Sequence, residues 1–366
     1  MSTPPTMMLA AVYHGPRDIR VEKVPIPELA PGELLLEVHA AGVCGTDASE
    51  YAHGPTMFPI LDQHPVTGHR GPMIPGHEFG GRVVQIGSEV TGFSEGDLVT
   101  SGAGISCGAC GQCEAGRTNL CERYATVGLQ RSGGLAQYCV VPAAVCLNVS
   151  ELGLTDDGAA LVQPMSIAVH SMRRGRVGPD DEALVIGVGG VGAFLVYALA
   201  ETGVTVTAVD LDRERLMIAS ALGAEATIRA SGDRSLRESL NDNAPRLIYE
   251  VSGAPSALAD AVQLVRPGGT VVVVGLQEQP FDLDARNLAL SEIELVGTNA
   301  HTFGTDIPEA ARLISSRGVK WKDVAPVALP LEEVVDGALI PLLEGRSSRI
   351  KNLVDPWSDE RRPTFS

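Results

Sequence analysis

The chain has 366 residues, enough for two domains at about 150 residues each, and a composition ordinary for a globular protein. Acidic residues outnumber basic ones 45 to 28, a formal charge of −17, so phosphate backbones and anionic membrane surfaces are repelled and nucleic acid is excluded as an expected partner. The opening MSTPPTMMLAAVYHG lacks the basic stretch and long apolar run of a secretory signal, and seven cysteines, an odd number, fit a reducing compartment; a cytoplasmic protein is expected.

In chain order, the first 160 residues carry short β-prone runs, ELLLEVHAAGV, GGRVVQIG and GLAQYCVVP, set apart by Gly, Pro and Asp, a texture that predicts a barrel-like β domain. Residues 53–75, HGPTMFPILDQHPVTGHRGPMIP, have no apolar period and predict a long loop. From about Met165 the texture alternates: ALVIGVG, a helix, TVTAVD, a helix ending at GAEATI, LIYEVSG, a helix, GGTVVVVGL and IELVGTN. That alternation predicts an α/β, doubly wound parallel sheet. Residues 183–200, ALVIGVGGVGAFLVYALA, are uncharged over about the minimum membrane-spanning length, but their glycines divide them into strand, turn and helix start, so a buried βα unit accounts for them without a bilayer. Beyond Phe303 come two helical segments, a closing strand, RIKNLVD, and a polar tail, SDERRPTFS, expected to fray.

Cys107, Cys110, Cys113 and Cys121 fall in one loop with the spacing C-x2-C-x2-C-x7-C. Four thiolates so close suit one closed, tetrahedral, structural zinc; disulfides are the weaker reading in a reducing compartment. Gly187, Gly189 and Gly192, in the run Gly187-Val188-Gly189-Gly190-Val191-Gly192, follow a strand and open a helix, the context of the G-x-G-x-x-G dinucleotide fingerprint. The helix start offers N–H groups and a positive dipole end to phosphates. Asp210 ends the next strand about twenty residues on, where a carboxylate accepts from adenosine ribose hydroxyls and repels a 2′-phosphate. NAD is therefore expected over NADP, with Arg213 and Arg215 nearby to soften the preference. Cys44 in GVCGTD and His77-Glu78 in IPGHEF supply thiolate, imidazole and carboxylate, a donor set zinc accepts while keeping a position open.

Taken in order, GVCGTD, PGHEF, the four-cysteine loop, GVGGVG with Asp210, and EVSGAP followed by RPGGTVVVVG resemble the zinc-dependent medium-chain alcohol dehydrogenase family over nearly the whole chain. TGHRGPMIPGHE with CGTDASEY resembles its butanediol dehydrogenase branch, near the sorbitol and threonine dehydrogenases. The resemblance implies a GroES-like catalytic barrel over residues 1–163, a Rossmann NAD-binding domain over 164–302, a return to the catalytic domain over 303–366, and a catalytic zinc in the cleft, which with the four-cysteine metal makes two zinc ions per chain. Cys44, His77 and Glu78 match the family's zinc-site positions. The branch usually has a glutamate before Pro164, whereas this chain has Gln163, as glucose dehydrogenase relatives do; the lost charge should sharpen the metal's Lewis acidity and loosen its binding.

Thr46 matches the hydroxyl that accepts the substrate proton, and Asp47 the carboxylate that orients the histidine ligand. Ser49 stands where a relay histidine is usual, with His53 as a substitute. Arg349 resembles a C-terminal arginine that approaches the cofactor phosphates, and Gly275 and Arg215 join the implied cofactor residues. Tyr51, Phe58 and Phe303 are candidates to line the cleft or to pack as ordinary core. The implied activity is hydride transfer between NAD and a secondary alcohol, vicinal diol or polyol, zinc acidifying the hydroxyl. Rivals are an aldose dehydrogenase, suggested by Gln163, and a redox-neutral lyase or epimerase, or a non-catalytic protein, that binds NAD and zinc. The implied partners are a small-molecule alcohol or ketone and further copies of the chain, as a dimer or tetramer paired through IELVGTN.

Overall fold

Runs of apolar residues broken by Gly and Pro give short strands, and the computed structural model describes them over residues 5–230, 236–240, 243–277, 279–347 and 349–365. The chain divides into two compact units, Met1–Ser166 with His301–Ser366, and Ile167–Ala300. The first unit opens with the antiparallel hairpin of β1 (Met7–Gly15) and β2 (Asp18–Pro25). It continues through β3 (Glu33–Val43), α1 (Gly45–His53), β4 (Glu78–Ile86), β5 (Leu98–Ser101), β6 (Gly104–Ile105), α2 (Gly111–Glu114), β7 (Ala125–Thr126), β8 (Tyr138–Pro142), β9 (Cys146–Asn148) and the first part of α3 (Asp156–Arg174), within which the division between the units falls after Ser166.

β3 is the hub of this unit. Its first half, Glu33–Glu37, pairs with β8, and it pairs with β4 through register shifts after Leu35 and Glu37. Such irregularities bend a strand and add twist, so one strand turns a corner and serves several neighbours. Residues 54–77, between α1 and β4, form the expected long loop. Buried Glu50 on α1 holds its start, accepting from the amides of Thr56, Met57 and Phe58 at 3.1, 2.7 and 3.4 Å.

The second unit alternates β10 (Glu182–Ile186), α4 (Gly192–Glu201), β11 (Thr205–Asp210), α5 (Arg213–Ala221), β12 (Ala226–Arg229), α6 (Leu236–Ser239), β13 (Leu247–Glu250), α7 (Pro255–Leu264), β14 (Thr270–Val273), α8 (Ala285–Leu290) and β15 (Glu294–Gly297). All its strand pairs are parallel, in the order β12-β11-β10-β13-β14-β15. The order reverses between β10 and β13, the switch point outside which open α/β sheets bind ligands. Residues 183–200 are a central strand and its helix, and among the described residues no helix is long and apolar enough to cross a membrane.

The chain then returns to the first unit as α9 (Phe303–Arg317), β16 (Val327–Pro330), α10 (Ile340–Leu343), β17 (Asn352–Asp355) and β18 (Arg362–Pro363). β17 pairs antiparallel with the second half of β3, β16 lies parallel to β17, and β18 closes on β16, which completes an eight-stranded sheet. The tail, expected to fray, is docked over its described residues. Arg362 sits between Asp157 at 2.7 Å and Asp355 at 2.6 Å, and the Phe365 amide donates to Asp157 at 2.8 Å. A guanidinium shared by two largely buried carboxylates holds geometry that a polar sequence alone does not reveal. Just upstream, Trp357 stacks on His39 and meets Tyr138 edge-on.

Candidate catalytic metal site and dinucleotide cradle

β3 delivers Cys44 to the start of α1, where it is the N-cap in extended conformation, and the Asp47 carboxylate accepts from the Cys44 amide at 2.9 Å. This closes the first turn on itself and leaves the thiol half-buried at the helix start, 3.8 Å from the Thr46 hydroxyl. His77, the last residue of the loop, and Glu78, the first of β4, lie alongside. Donor atoms of Cys44, His77 and Glu78 all lie within 4.8 Å of one another. The other oxygen of Asp47 faces His77 Nδ1 at 3.7 Å, too far for a hydrogen bond, and both atoms are buried without a partner. Burial pushes the imidazole pKa down, but the Asp47 and Cys44 charges outweigh it and hold it well above the usual range. Soft and borderline donors converging in a negative, buried pocket fit a zinc ion.

The pocket also contains a residue the motifs do not announce. Lys351, immediately before β17, is buried and donates to both Glu78 oxygens at 2.7 Å. Burial works against its charge, and Glu78, then Cys44, more than restore it. Gly42 of β3 lies against the pair: a Cβ there would stand 2.3 Å from a Glu78 oxygen, so the carboxylate occupies space only glycine leaves. The Glu78 charge is thus offset by Lys351, while His77 faces the Asp47 carboxylate and the Cys44 thiol. Arg349, two residues before Lys351, reaches Asn352 at 3.4 Å.

The four-cysteine loop is a separate cluster. All four sulfurs lie within 4.8 Å and none is in a disulfide. Backbone amides of Cys107 and Arg123 donate to Cys121 Sγ at 3.2 and 3.3 Å. The Ala109 amide, then Cys121, bring the Cys107 thiol down to about 6, and the Glu122 amide lowers Cys110; burial and neighbouring Cys110 move Cys113 up to about 11. Four converging sulfurs, one of them supported by two backbone N–H donors, fit a closed structural zinc.

In the second unit the glycine turn follows β10. Gly187 has φ +97°, in the left-handed region, and a Cβ at Gly192 would stand 1.8 Å from the Gly187 carbonyl, so the turn requires glycine at both. At Gly189 a Cβ would meet nothing within 4 Å, the open ground a pyrophosphate needs. Gly190 follows, and Val191 is the N-cap of α4. Asp210 accepts from the Val188 and Asp212 amides at 2.7 and 2.9 Å, tying the turn to the end of β11. Gly187, Gly189, Asp210, Arg215 and Ser252 line a cavity of about 480 Å3. Gly275 packs on the next loop, where a Cβ would stand 2.2 Å from the Gly253 amide.

Of the remaining candidates, Gln163 is buried on α3, and Ser49 and His53 are exposed on α1. Tyr51 packs in the barrel core, Phe58 meets Tyr13 edge-on at 4.9 Å, and Phe303 lies against Gly102. A second cavity of about 550 Å3 in the barrel unit, walled by His69, Arg131 and Cys139 among others, shares no residue with either donor cluster. Lys351 and Glu50 are the residues that motif reading misses. The sequence carries no local signal for Lys351, which sits among Arg349, Asn352 and Asp355 in the polar-flanked closing segment RIKNLVD.

A β-rich unit carrying a thiolate, imidazole and carboxylate cluster, in one chain with a doubly wound unit carrying a glycine turn, has the form of a metal-dependent dehydrogenase. Residues 30–151 match the alcohol dehydrogenase GroES-like domain, and residues 190–316 match the zinc-binding dehydrogenase domain. The sorbitol dehydrogenase of Bacillus subtilis strain 168 is 30% identical over 360 residues, covering 97% of this chain and 99% of the relative. The crystal structure of 2R,3R-butanediol dehydrogenase from Bacillus subtilis superposes with a TM-score of 0.87 at 28% identity, covering 95% of this chain and 99% of that one. An E. coli CFT073 protein described as a short chain alcohol dehydrogenase, in complex with NADH, gives 0.85 at 27% identity, covering 96% and 100%. The chain belongs to the zinc-binding alcohol dehydrogenase family, and zinc and a nicotinamide dinucleotide are its cofactors.

Proposed function

We propose that this enzyme oxidises a secondary hydroxyl of a polyol or vicinal diol to a ketone with NAD as acceptor. The observation that carries the reading is the convergence of Cys44, His77 and Glu78 donor atoms within 4.8 Å around unpartnered His77 and Asp47 atoms. The sorbitol and 2R,3R-butanediol dehydrogenases among its relatives supply the substrate class. Zinc, when bound, would supply Lewis acidity to the hydroxyl, and NAD would supply a hydride acceptor.

The chain's own residues then have distinct tasks. Cys44 and His77 hold the metal, with Gln163 as a further oxygen donor. Asp47 orients the imidazole. Glu78 is the third donor, its charge offset by the Lys351 ammonium that donates to both of its oxygens. The Thr46 hydroxyl, beside Cys44, takes the substrate proton. Thr46, Ser49 and His53 recur at i, i+3 and i+7 along the open face of α1, while Asp47, Ala48, Glu50 and Tyr51 face inward. The proton leaves along that face. In the second unit the Asp210 carboxylate receives the adenosine ribose and disfavours a 2′-phosphate. The four cysteines hold a second zinc that fixes their loop, and their reduced state suits the cytoplasm.

Self-association through β15 completes the proposal. This strand ends the six-stranded sheet with no strand beyond it among the described residues; exposed Leu295 lies on it and exposed Leu290 ends the helix before it. Unpaired edges with apolar flanks recruit a second strand. Light scattering should give a dimer or tetramer, and Leu295→Lys should shift it toward monomer.

The test of activity is NADH formation with sorbitol, xylitol, 2,3-butanediol and glucose, each with and without a zinc chelator. Chelator-sensitive turnover of polyol or diol is expected. Turnover of glucose alone would favour the aldose reading that Gln163 suggests, and bound NAD without NADH release would favour redox-neutral chemistry.

A further inference from the structure

The EVSGAP run contains a carboxylate with no role in the chemistry described so far. Glu250 ends β13, is fully buried, and sits in register between Ile186 of β10 and Val273 of β14, at the carboxyl edge of the sheet beside the switch point. Its side-chain hydrogen-bond partners among the described residues are all neutral. One oxygen accepts from the Ser252 amide at 2.7 Å, the Ser252 hydroxyl at 2.5 Å and the Gly253 amide at 3.1 Å; the other accepts from the Gln277 side-chain amide at 2.9 Å. A buried carboxylate is costly unless its lone pairs are filled by fixed donors, so this arrangement makes the donors' positions interdependent.

Those donors belong to the cofactor's wall. Ser252 lines the cavity shared with Gly187, Gly189 and Asp210, and a Cβ at Gly187 would stand 2.8 Å from the Ser252 amide nitrogen. Beyond β14, the Gly275 backbone approaches Gly253 so closely that a Cβ would stand 2.2 Å from its amide, and Glu250 reaches Gln277 on the same segment. One carboxylate therefore fixes the loop after β13, abuts the glycine turn through that loop, and anchors the loop after β14.

We propose that Glu250 is a positioning residue for the dinucleotide: it holds the loops after β13 and β14 in the shape that accepts NAD, without touching the reacting atoms. The inference rests on the proposed use of NAD. Glu250→Gln keeps the size but places an amide donor among groups that are themselves donors, so the loops must shift. The experiment measures NAD dissociation by calorimetry on the zinc-loaded protein, together with the thermal midpoint and with kcat and KM for NAD. Expected is a Kd and KM for NAD raised at least about tenfold, with kcat at saturating NAD and metal content within about twofold of wild type.

A folded Glu250→Gln protein that binds NAD as wild type does would overturn the inference and leave the dehydrogenase reading standing. Wild-type protein that failed to bind NAD would overturn both. Should Glu250→Gln not fold, Gln277→Leu removes one donor from the outer loop; a two- to fivefold weaker NAD affinity supports the inference, and unchanged affinity overturns it.

Discussion

The two metal-donor clusters of the first unit are built on opposite plans. Cys107, Cys110, Cys113 and Cys121 come from one short stretch, and the amides of Cys107 and Arg123 in that stretch support their sulfurs. Cys44, His77 and Glu78 come from the ends of two strands, and the charges around them come from Asp47 on α1 and from Lys351, more than 270 residues after Glu78. The local cluster carries its own support and can serve as a clip. The assembled one has its charge set by the fold, which is what chemistry at a metal requires.

The largest effect expected from this contrast is at Cys44. Lewis-acid stabilisation is worth several kcal/mol, so Cys44→Ala should lower kcat/KM by about a thousandfold or more while NAD affinity persists. Near-normal turnover would remove the metal from the mechanism. Lys351→Met comes next. It strands a buried carboxylate, and urea denaturation should show a loss of about 3–5 kcal/mol, partly recovered in Glu78→Gln/Lys351→Met. A loss below about 1 kcal/mol would mean the pair is screened like a surface bridge.

Cys110→Ala should act on stability alone, costing about 2–3 kcal/mol and releasing one zinc per chain, with the folded fraction keeping its kcat. A fall in kcat as large as that of Cys44→Ala would erase the distinction between the clusters. Smallest is Asp47→Asn, which keeps the helix-start hydrogen bond but not the charge facing His77. Metal affinity or activity should fall about 10- to 100-fold, read by competition with a chromogenic chelator.

The same contrast decides what was legible beforehand. The cysteine spacing and the glycine turn with Asp210 could be read because each motif is contiguous or held to one βα unit. The doubly wound class is legible because buried β10, β13 and β14 are largely apolar, whereas GAEATI, read as the end of a helix, contributes the exposed edge strand β12, Ala226–Arg229, whose residues carry little apolar signal. Lys351 and Arg362 were invisible as partners. Their carboxylates, Glu78 and Asp157, lie 273 and 205 residues away, and no local pattern encodes a pairing that the sheet creates. Tail polarity therefore suggested fraying where Arg362 in fact docks.

The discontinuity of the first unit has a consequence for how the chain is made. β3 is synthesised early, but its partner β17 spans Asn352–Asp355, and the intervening second unit is continuous from residue 167 to 300. During vectorial synthesis the doubly wound unit can fold as soon as it leaves the ribosome, while β3 waits for a partner over 300 residues away. The nascent barrel thus exposes an unpaired, largely apolar edge through most of translation, which makes it the segment a chaperone has most reason to cover.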